Sequence, residues 1–374
     1  MPSFLNTACA LLTAGQLAAA AIYTLQDNYD KTNFFEEFEF FSDADPTNGF
    51  VQYQDATSAS SLGLAGYNED AIYLGADHTT KNPANGRAST RVYSKKTYTQ
   101  MLLVADVVHM PVGCGTWPAL WSYGGDWPTQ GEIDIIEGVN SQSSNEITLH
   151  TDGACTMTRG RSSASTKFAA TADCSAGDGG TGCPQKTESK NNFGRGLNAG
   201  GGGIYAMLWD HEAISVYLFP RNSSMADTLS GGGDSNNTIL GPSSAVSAAE
   251  VDTSGFGTPL ATFVGGEGCD IAERFRQHAI TVNTDFCGSW AGSDEVWAAD
   301  DECSAKAGTC EEYVAGNPDA FVDAYWLFNS IKVYTTPGSG AAATVTATGS
   351  AALAGETGVF GVGGKRRRGM PFIA

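Results

Sequence analysis

The stretch Gly131-Glu132-Ile133-Asp134-Ile135-Ile136-Glu137-Gly138 sets three carboxylates among three isoleucines within six residues. Side chains on a β-strand alternate between its faces, so Glu132 and Asp134 share one face while Ile133 and Ile135 take the other. Glu137, five positions from Glu132, would fall on the wrong face of a regular strand. One extra residue around Ile135-Ile136, a β-bulge, restores the alternation and returns Glu137 to the acidic face. The spacing therefore predicts a bulged strand with its apolar side in a core. Three acids on one face repel one another and raise at least one pKa, which is hard to justify structurally. Glycoside hydrolysis needs such a set: one carboxylate ionised at the anomeric carbon, another holding its proton for the leaving oxygen. A middle Asp can tune both ends by hydrogen bonding. A Ca²⁺ site or a solvated acidic strand is the competing reading, and the isoleucines, which hold the acids in a strand rather than a chelating loop, weigh against it.

The rest of the chain reads as strands too. Short runs rich in β-branched and aromatic residues recur between turn-forming clusters: Phe34 to Phe41, Ala71 to Gly75, Arg91 to Val108, Ile147 to His150, His278 to Val282 and Tyr325 to Tyr334. Ile204 to Leu208 and Ala213 to Phe219, four residues apart, form an expected hairpin. Few stretches carry a 3.6-residue period, and the pattern predicts an all-β sandwich or jelly roll. The long Gly-rich loops 155–203 and 222–257 are where such a fold usually builds a binding surface.

Charge narrows the partners. With 21 Lys+Arg against 41 Asp+Glu the formal net charge is −20, which argues against nucleic acid and anionic membrane surfaces. No apolar run in the body of the chain is long enough to span a membrane. Residues 1–20, apolar around Leu11 and Leu12 and ending Ala18-Ala19-Ala20, read as a secretory signal. Cys9 would leave with it, and the eight remaining cysteines suit a disulfide framework in an oxidising compartment. Local bridges are expected among Cys155, Cys174 and Cys183 and from Cys303 to Cys310; C-x-x-C zinc spacing is absent. Asn222 and Asn236 head two glycosylation sequons. Residues 21–334 then make one catalytic domain, and 335–374, rich in Thr, Gly, Ser and Ala, a disordered tail. A secreted monomer without cofactor or metal, acting in the extracellular space or cell wall, is the expectation.

Aromatic residues crowd the acidic strand: Trp117, Trp121, Tyr123 and Trp127 precede it and His150 lies on the next predicted strand. Flat rings recognise the apolar C–H faces of sugars at little entropic cost. Trp117 and Trp127, each followed by Pro, and Trp290 in Phe286-Cys287-Gly288-Ser289-Trp290 are the candidate platforms, with His150 a further substrate-binding candidate.

The acidic motif resembles the active-site motif of glycoside hydrolase family 16, the laminarinase type of secreted fungal endo-β-1,3(4)-glucanase. The likeness runs from about Tyr23 to Tyr334 and includes Ala76-Asp77-His78-Thr79-Thr80, Gly113-Cys114-Gly115-Thr116-Trp117-Pro118, Thr148-Leu149-His150-Thr151 and Phe219-Pro220-Arg221-Asn222. The resemblance implies a concanavalin A-like β-jelly roll, a concave sheet lined by β-glucan subsites and a retaining double displacement. In it Glu132 would be the nucleophile, Asp134 the assisting acid and Glu137 the general acid/base, with Trp117, Trp127 and Trp290 along the sugar subsites. A transglycosylase or a glucan-binding protein on the same fold are the alternatives. Two positions depart from the resemblance: Ile204 stands where Trp is expected, and Ser289 where Asp is expected.

Overall fold

A computed structural model describes residues 22–336 except 154, 164, 170, 177–180, 232–248 and 267, together with 343–344. Two antiparallel sheets stack face to face as a jelly roll. The front sheet runs, in order, Lys167–Phe168, Gln185–Lys186, Glu146–His150, Glu132–Glu137, Thr116–Gly124, His278–Phe286, Arg91–Tyr98 and Phe38–Phe40. The back sheet places Met101–His109 between Gly203–Trp209 and Tyr325–Thr335, with Ile22–Tyr29 and Ala213–Pro220 further out. The core between them takes Ile133, Ile135, Ile136, Leu149 and Val282 from the front and Leu103, Tyr205, Met207, Val216 and Ile331 from the back. The apolar side of the acidic strand thus faces the core, as its alternation requires.

The expected bulge is present. Glu132, Ile133 and Asp134 pair with Tyr123, Ser122 and Trp121, and Ile136 and Glu137 then pair with Leu120 and Ala119, leaving Ile135 as the surplus residue. The expected hairpin is a continuous ladder from Gly203↔Pro220 to Trp209↔Ile214.

Several expectations are corrected. Phe34–Glu37 forms a helical turn before the strand Phe38–Phe40, because a helix brings positions four apart together and the buried Phe34 and Phe38 rings stack at 4.1 Å. The run 91–108 is two strands broken at Gln100, whose φ is 60°; the first joins the front sheet and the second the back. Short helices at Asp294–Ala299, Asp301–Ser304 and Cys310–Gly316 start at Ser293, Asp300 and Thr309, each side chain accepting a main-chain N–H of the first turn. Those capping residues were legible in the sequence.

Cys174 does pair with Cys183, but Cys155 pairs with Cys269, Cys303 with Cys114 and Cys310 with Cys287. The expected Cys303–Cys310 bridge is overturned: the two residues sit on different short helices, and the fold brings Cys114 to the first and Cys287 to the second. Both join a separate core with Phe286, Trp297, Tyr313, Val314 and Phe321.

The described residues of 222–231 and 249–257 lie behind the back sheet. Ala226, Leu229, Val251 and Phe256 cover Leu102, Val104, Ile204 and Phe219 in a third hydrophobic layer. Ile204 belongs to that layer, so its departure from the family pattern does not touch the acidic face. The final strand ends at Thr335, and Ala343–Thr344, within the tail expected to be disordered, pairs with Thr97 and Lys96. The signal segment, Asn236 and the rest of the tail lie outside the described residues.

The Cys287–Cys310 bridge closes a 23-residue separation. Loop-closure entropy sets its worth at about 3 kcal/mol. Replacing both residues by Ala is expected to lower unfolding stability by that order in urea titration; an unchanged midpoint would show the helical cluster is held by its apolar core alone.

Candidate active site

Gly131 has φ 77°, and a Cβ there would lie 2.5 Å from the Phe275 ring and 2.6 Å from the Arg274 carbonyl oxygen. Only glycine lets the chain enter the acidic strand this close to its neighbour. From that start Glu132, Asp134 and Glu137 take alternate rungs opposite Tyr123, Trp121 and Ala119, all on the face away from the core. All three are nonetheless buried, at 1%, 0% and 3% exposure, beneath loops and aromatic side chains.

Each glutamate is held by an indole. Trp127 Nε1 donates to Glu132 Oε2, and Trp117 Nε1 donates to Glu137 Oε1 at 2.8 Å. Among the described residues Glu132 Oε1 has no protein partner, nor does either oxygen of Asp134 within hydrogen-bonding geometry. His150, opposite Glu132 on the adjoining strand, places Nε2 3.3 Å from Asp134 Oδ2. Burial pushes the Glu132 carboxyl well above the usual range, and the charges of Asp134 and Glu137 push it further; Trp127 and Arg91 oppose this. Glu137 is likewise raised, first by burial and then by Asp134, against the Trp117 hydrogen bond.

The aromatic expectations divide. Trp127 and Trp290 are half-buried at the rim. Trp117 is only 2% exposed, its indole edge-on to Trp290 at 5.6 Å and its N–H on Glu137, so it stands behind the acid rather than offering a face. His150 is equally buried and directed at Asp134. Sequence reasoning missed Arg91, whose guanidinium lies 5.0 Å from the Trp121 ring and 4.7 Å from Phe41. It also missed Asn283, which accepts from Trp121 Nε1 at 2.7 Å. Both lie on the rung of Ala119 and Glu137, a register that no local motif announces. Glu132, Asp134 and His150 each offer one ligand atom within 4.8 Å of the others, a grouping that could receive a cation. The indole N–H on Glu132 favours reading it as a hydrogen-bonded carboxylate.

An antiparallel jelly roll with two buried glutamates flanking an aspartate on one strand has the build of a β-sandwich glycoside hydrolase. Residues 38–334 match the family described as the XgeA-like, catalytic GH16 domain, and the chain belongs to glycoside hydrolase family 16. It is 41% identical over 333 residues to an endo-1,3(4)-β-glucanase of Arthroderma benhamiae, covering 87% of this chain and 68% of that one. A probable endo-1,3(4)-β-glucanase of Aspergillus clavatus is 39% identical over 365 residues, 94% of this chain and 54% of that one. The chain thus spans about half to two thirds of these relatives' length. Among solved structures, GH16 Laminarinase 16A of Phanerochaete chrysosporium superposes with a TM-score of 0.74 at 40% identity, covering 84% of this chain and all of that one. That structure holds β-glucans, 6-O-glucosyl-laminaritriose, in donor and acceptor sites. An elongating GH family 16 β-1,3-glucosyltransferase superposes at 0.71 with 36% identity over the same share of this chain and all of that one.

The raised carboxylates fix a sign. A native pKa above the unfolded value means the folded state holds the proton more tightly, so stability is complete below the unfolded value and falls as pH rises through the native one. Glu132→Gln removes one such ionisation and its repulsion. The variant is expected to melt at higher temperature than the parent, with the gap widening as pH rises; a lower melting temperature at every pH would contradict the electrostatic reading.

Proposed function

We propose that this chain is a secreted endo-acting hydrolase of β-1,3- or mixed-linkage β-1,3(4)-glucan that retains anomeric configuration. The observation that carries this is the pair of buried glutamates, each held at one oxygen by an indole N–H, with Glu132 Oε1 left open. A nucleophile must keep one oxygen unengaged, and a general acid must keep its proton near neutrality. Burial raises both carboxyls; the Trp127 hydrogen bond and Arg91 oppose the rise at Glu132, and the Trp117 hydrogen bond opposes it at Glu137. The unengaged Oε1 assigns the nucleophile's role to Glu132.

Glu132 attacks the anomeric carbon while Glu137 passes its proton to the departing glycosidic oxygen. Water then attacks the glycosyl-enzyme, gives its proton to Glu137 and releases Glu132. Asp134, between them and beside His150, shapes the field at both steps. Trp127 and Trp290 offer the exposed ring surface for sugar contact, and Trp117 orients Glu137. The names of the similar fungal proteins and the glucans held by the P. chrysosporium structure support the substrate class.

A second reading has its own support: one similar structure is an elongating glucosyltransferase, in which a sugar hydroxyl takes the place of water. Laminarin incubated with the protein and followed by proton NMR from the first minutes separates the cases. Hydrolysis with retention gives new reducing ends that begin as the β-anomer. Initial α-anomer would break the mechanism, products longer than an oligosaccharide substrate would establish transfer, and no new bond cleavage in laminarin or mixed-linkage glucan would leave a binding protein.

Four disulfides among the described residues support an oxidising, extracellular setting. Asn222 is exposed in the turn after Ala213–Pro220, behind the back sheet and away from the acids. From a secretory host, Asn222→Gln is expected to lose the mass of one glycan with glucan cleavage unchanged; masses that differ only by the added methylene of the substitution would show the sequon unused.

A further inference from the structure

We infer that Asn145 is a positioning residue for Glu137: its side-chain amide replaces the strand residue that the bulge displaces and holds the acid's backbone in place. This rests on Glu137 acting as the general acid of the proposed reaction.

The acidic strand has two edges. On the Thr116–Gly124 side its pairing resumes after the bulge and reaches Glu137. On the Glu146–His150 side the ladder runs Glu132↔His150, Ile133↔Leu149 and Asp134↔Thr148, then stops. The main-chain groups beyond the bulge on that edge need other partners, since buried N–H and C=O groups are rarely left unpaired. One side chain supplies both. Asn145 Oδ1 accepts the Glu137 N–H at 2.9 Å, and Asn145 Nδ2 donates to the Ile135 carbonyl at 2.8 Å. The orientation of the amide is forced, because an N–H can only donate and a carbonyl can only accept. The primary amide acts as a substitute peptide group, spanning Ile136 and completing the edge.

Asn145 is itself braced. It is fully buried, and its own main-chain N–H donates to Asn192 Oδ1 at 3.1 Å. The Asn192 carbonyl in turn receives the hydroxyl of Tyr205, which lies in the back sheet. A line of hydrogen bonds therefore runs from the back sheet to the main chain of Glu137. With Trp117 on its carboxylate, Glu137 is fixed at root and tip. Glu132 is on the regular part of the strand, where the ladder is intact on both edges, so the amide bears on one acid of the pair.

That asymmetry gives a readout that general destabilisation does not. Poor leaving groups need a proton as the glycosidic bond breaks, whereas an aryl glycoside with an acidic phenol departs with little help. The value of kcat/KM covers steps only through that first bond cleavage, and misplacing a catalytic group by about 1 Å costs on the order of 100-fold. In Asn145→Ala, kcat/KM is expected to fall about 10- to 100-fold on laminarin and less than about 3-fold on dinitrophenyl β-laminaribioside, mainly through kcat. Asn192→Ala, which leaves the amide but removes its brace, should show the same split in smaller measure and serves if Asn145→Ala does not fold. Equal losses on both substrates, or no loss on laminarin, in a folded variant of an active parent would overturn the role of Asn145. A parent that cleaves neither substrate would overturn the glucanase reading instead.

Discussion

A strand repeats every two residues, and three acids at positions 132, 134 and 137 do not obey that repeat. The surplus residue at Ile135 is the constraint around which the rest is arranged. It lets both Ile135 and Ile136 enter the core while the carboxylates stay on the other face. It also interrupts one edge of the ladder, which draws Asn145 into the strand and, through Asn192 and Tyr205, couples the acidic face to the far sheet. A local irregularity is thus compensated by groups from three other parts of the chain.

Burying three carboxylates together is unfavourable, and the surroundings offset it only in part. Two indole N–H groups and the guanidinium of Arg91 act on the glutamates, yet both remain shifted toward the protonated form. A fully compensated site would have lost the proton that the proposed general acid must hold. Arg91 serves several groups at once, lying over Trp121 and Phe41 and 3.9 Å from Asp45. A buried cation so shared opposes the rise at Glu132 only in part, and that carboxyl stays well above the usual range.

The bulge, the shared face of the three acids and the back-sheet hairpin were legible because each is written in spacing over fewer than about twenty residues, where strand alternation governs. The disulfides spanning 189 and 114 residues were not, since only the stacking of the sheets brings Cys114 to Cys303 and Cys155 to Cys269. Trp117 looked like a platform for the same reason: its composition and its loop were visible, but the rung that turns its N–H onto Glu137 was not. Ile204 shows the converse error. A residue that departs from the family pattern drew notice, and the fold places it in an apolar layer behind the back sheet. The helices after Ser293 carry capping residues in the sequence, but at six, four and seven residues they are too short to show a 3.6-residue apolar period.

The register also shows what measures the distance between the two glutamates. Glu132, Asp134 and Glu137 face Tyr123, Trp121 and Ala119, which are spaced two apart without exception. The neighbouring strand is therefore the ruler, and the acidic strand is pinned against its marks with one residue to spare. A chain lacking Ile135 would meet the same marks with simple alternation and present its carboxylates at the same intervals. Such a chain would have no gap for an amide to fill, so its last glutamate would be tied to the sheet by the ladder alone, with no line of hydrogen bonds reaching through to the opposite side of the molecule.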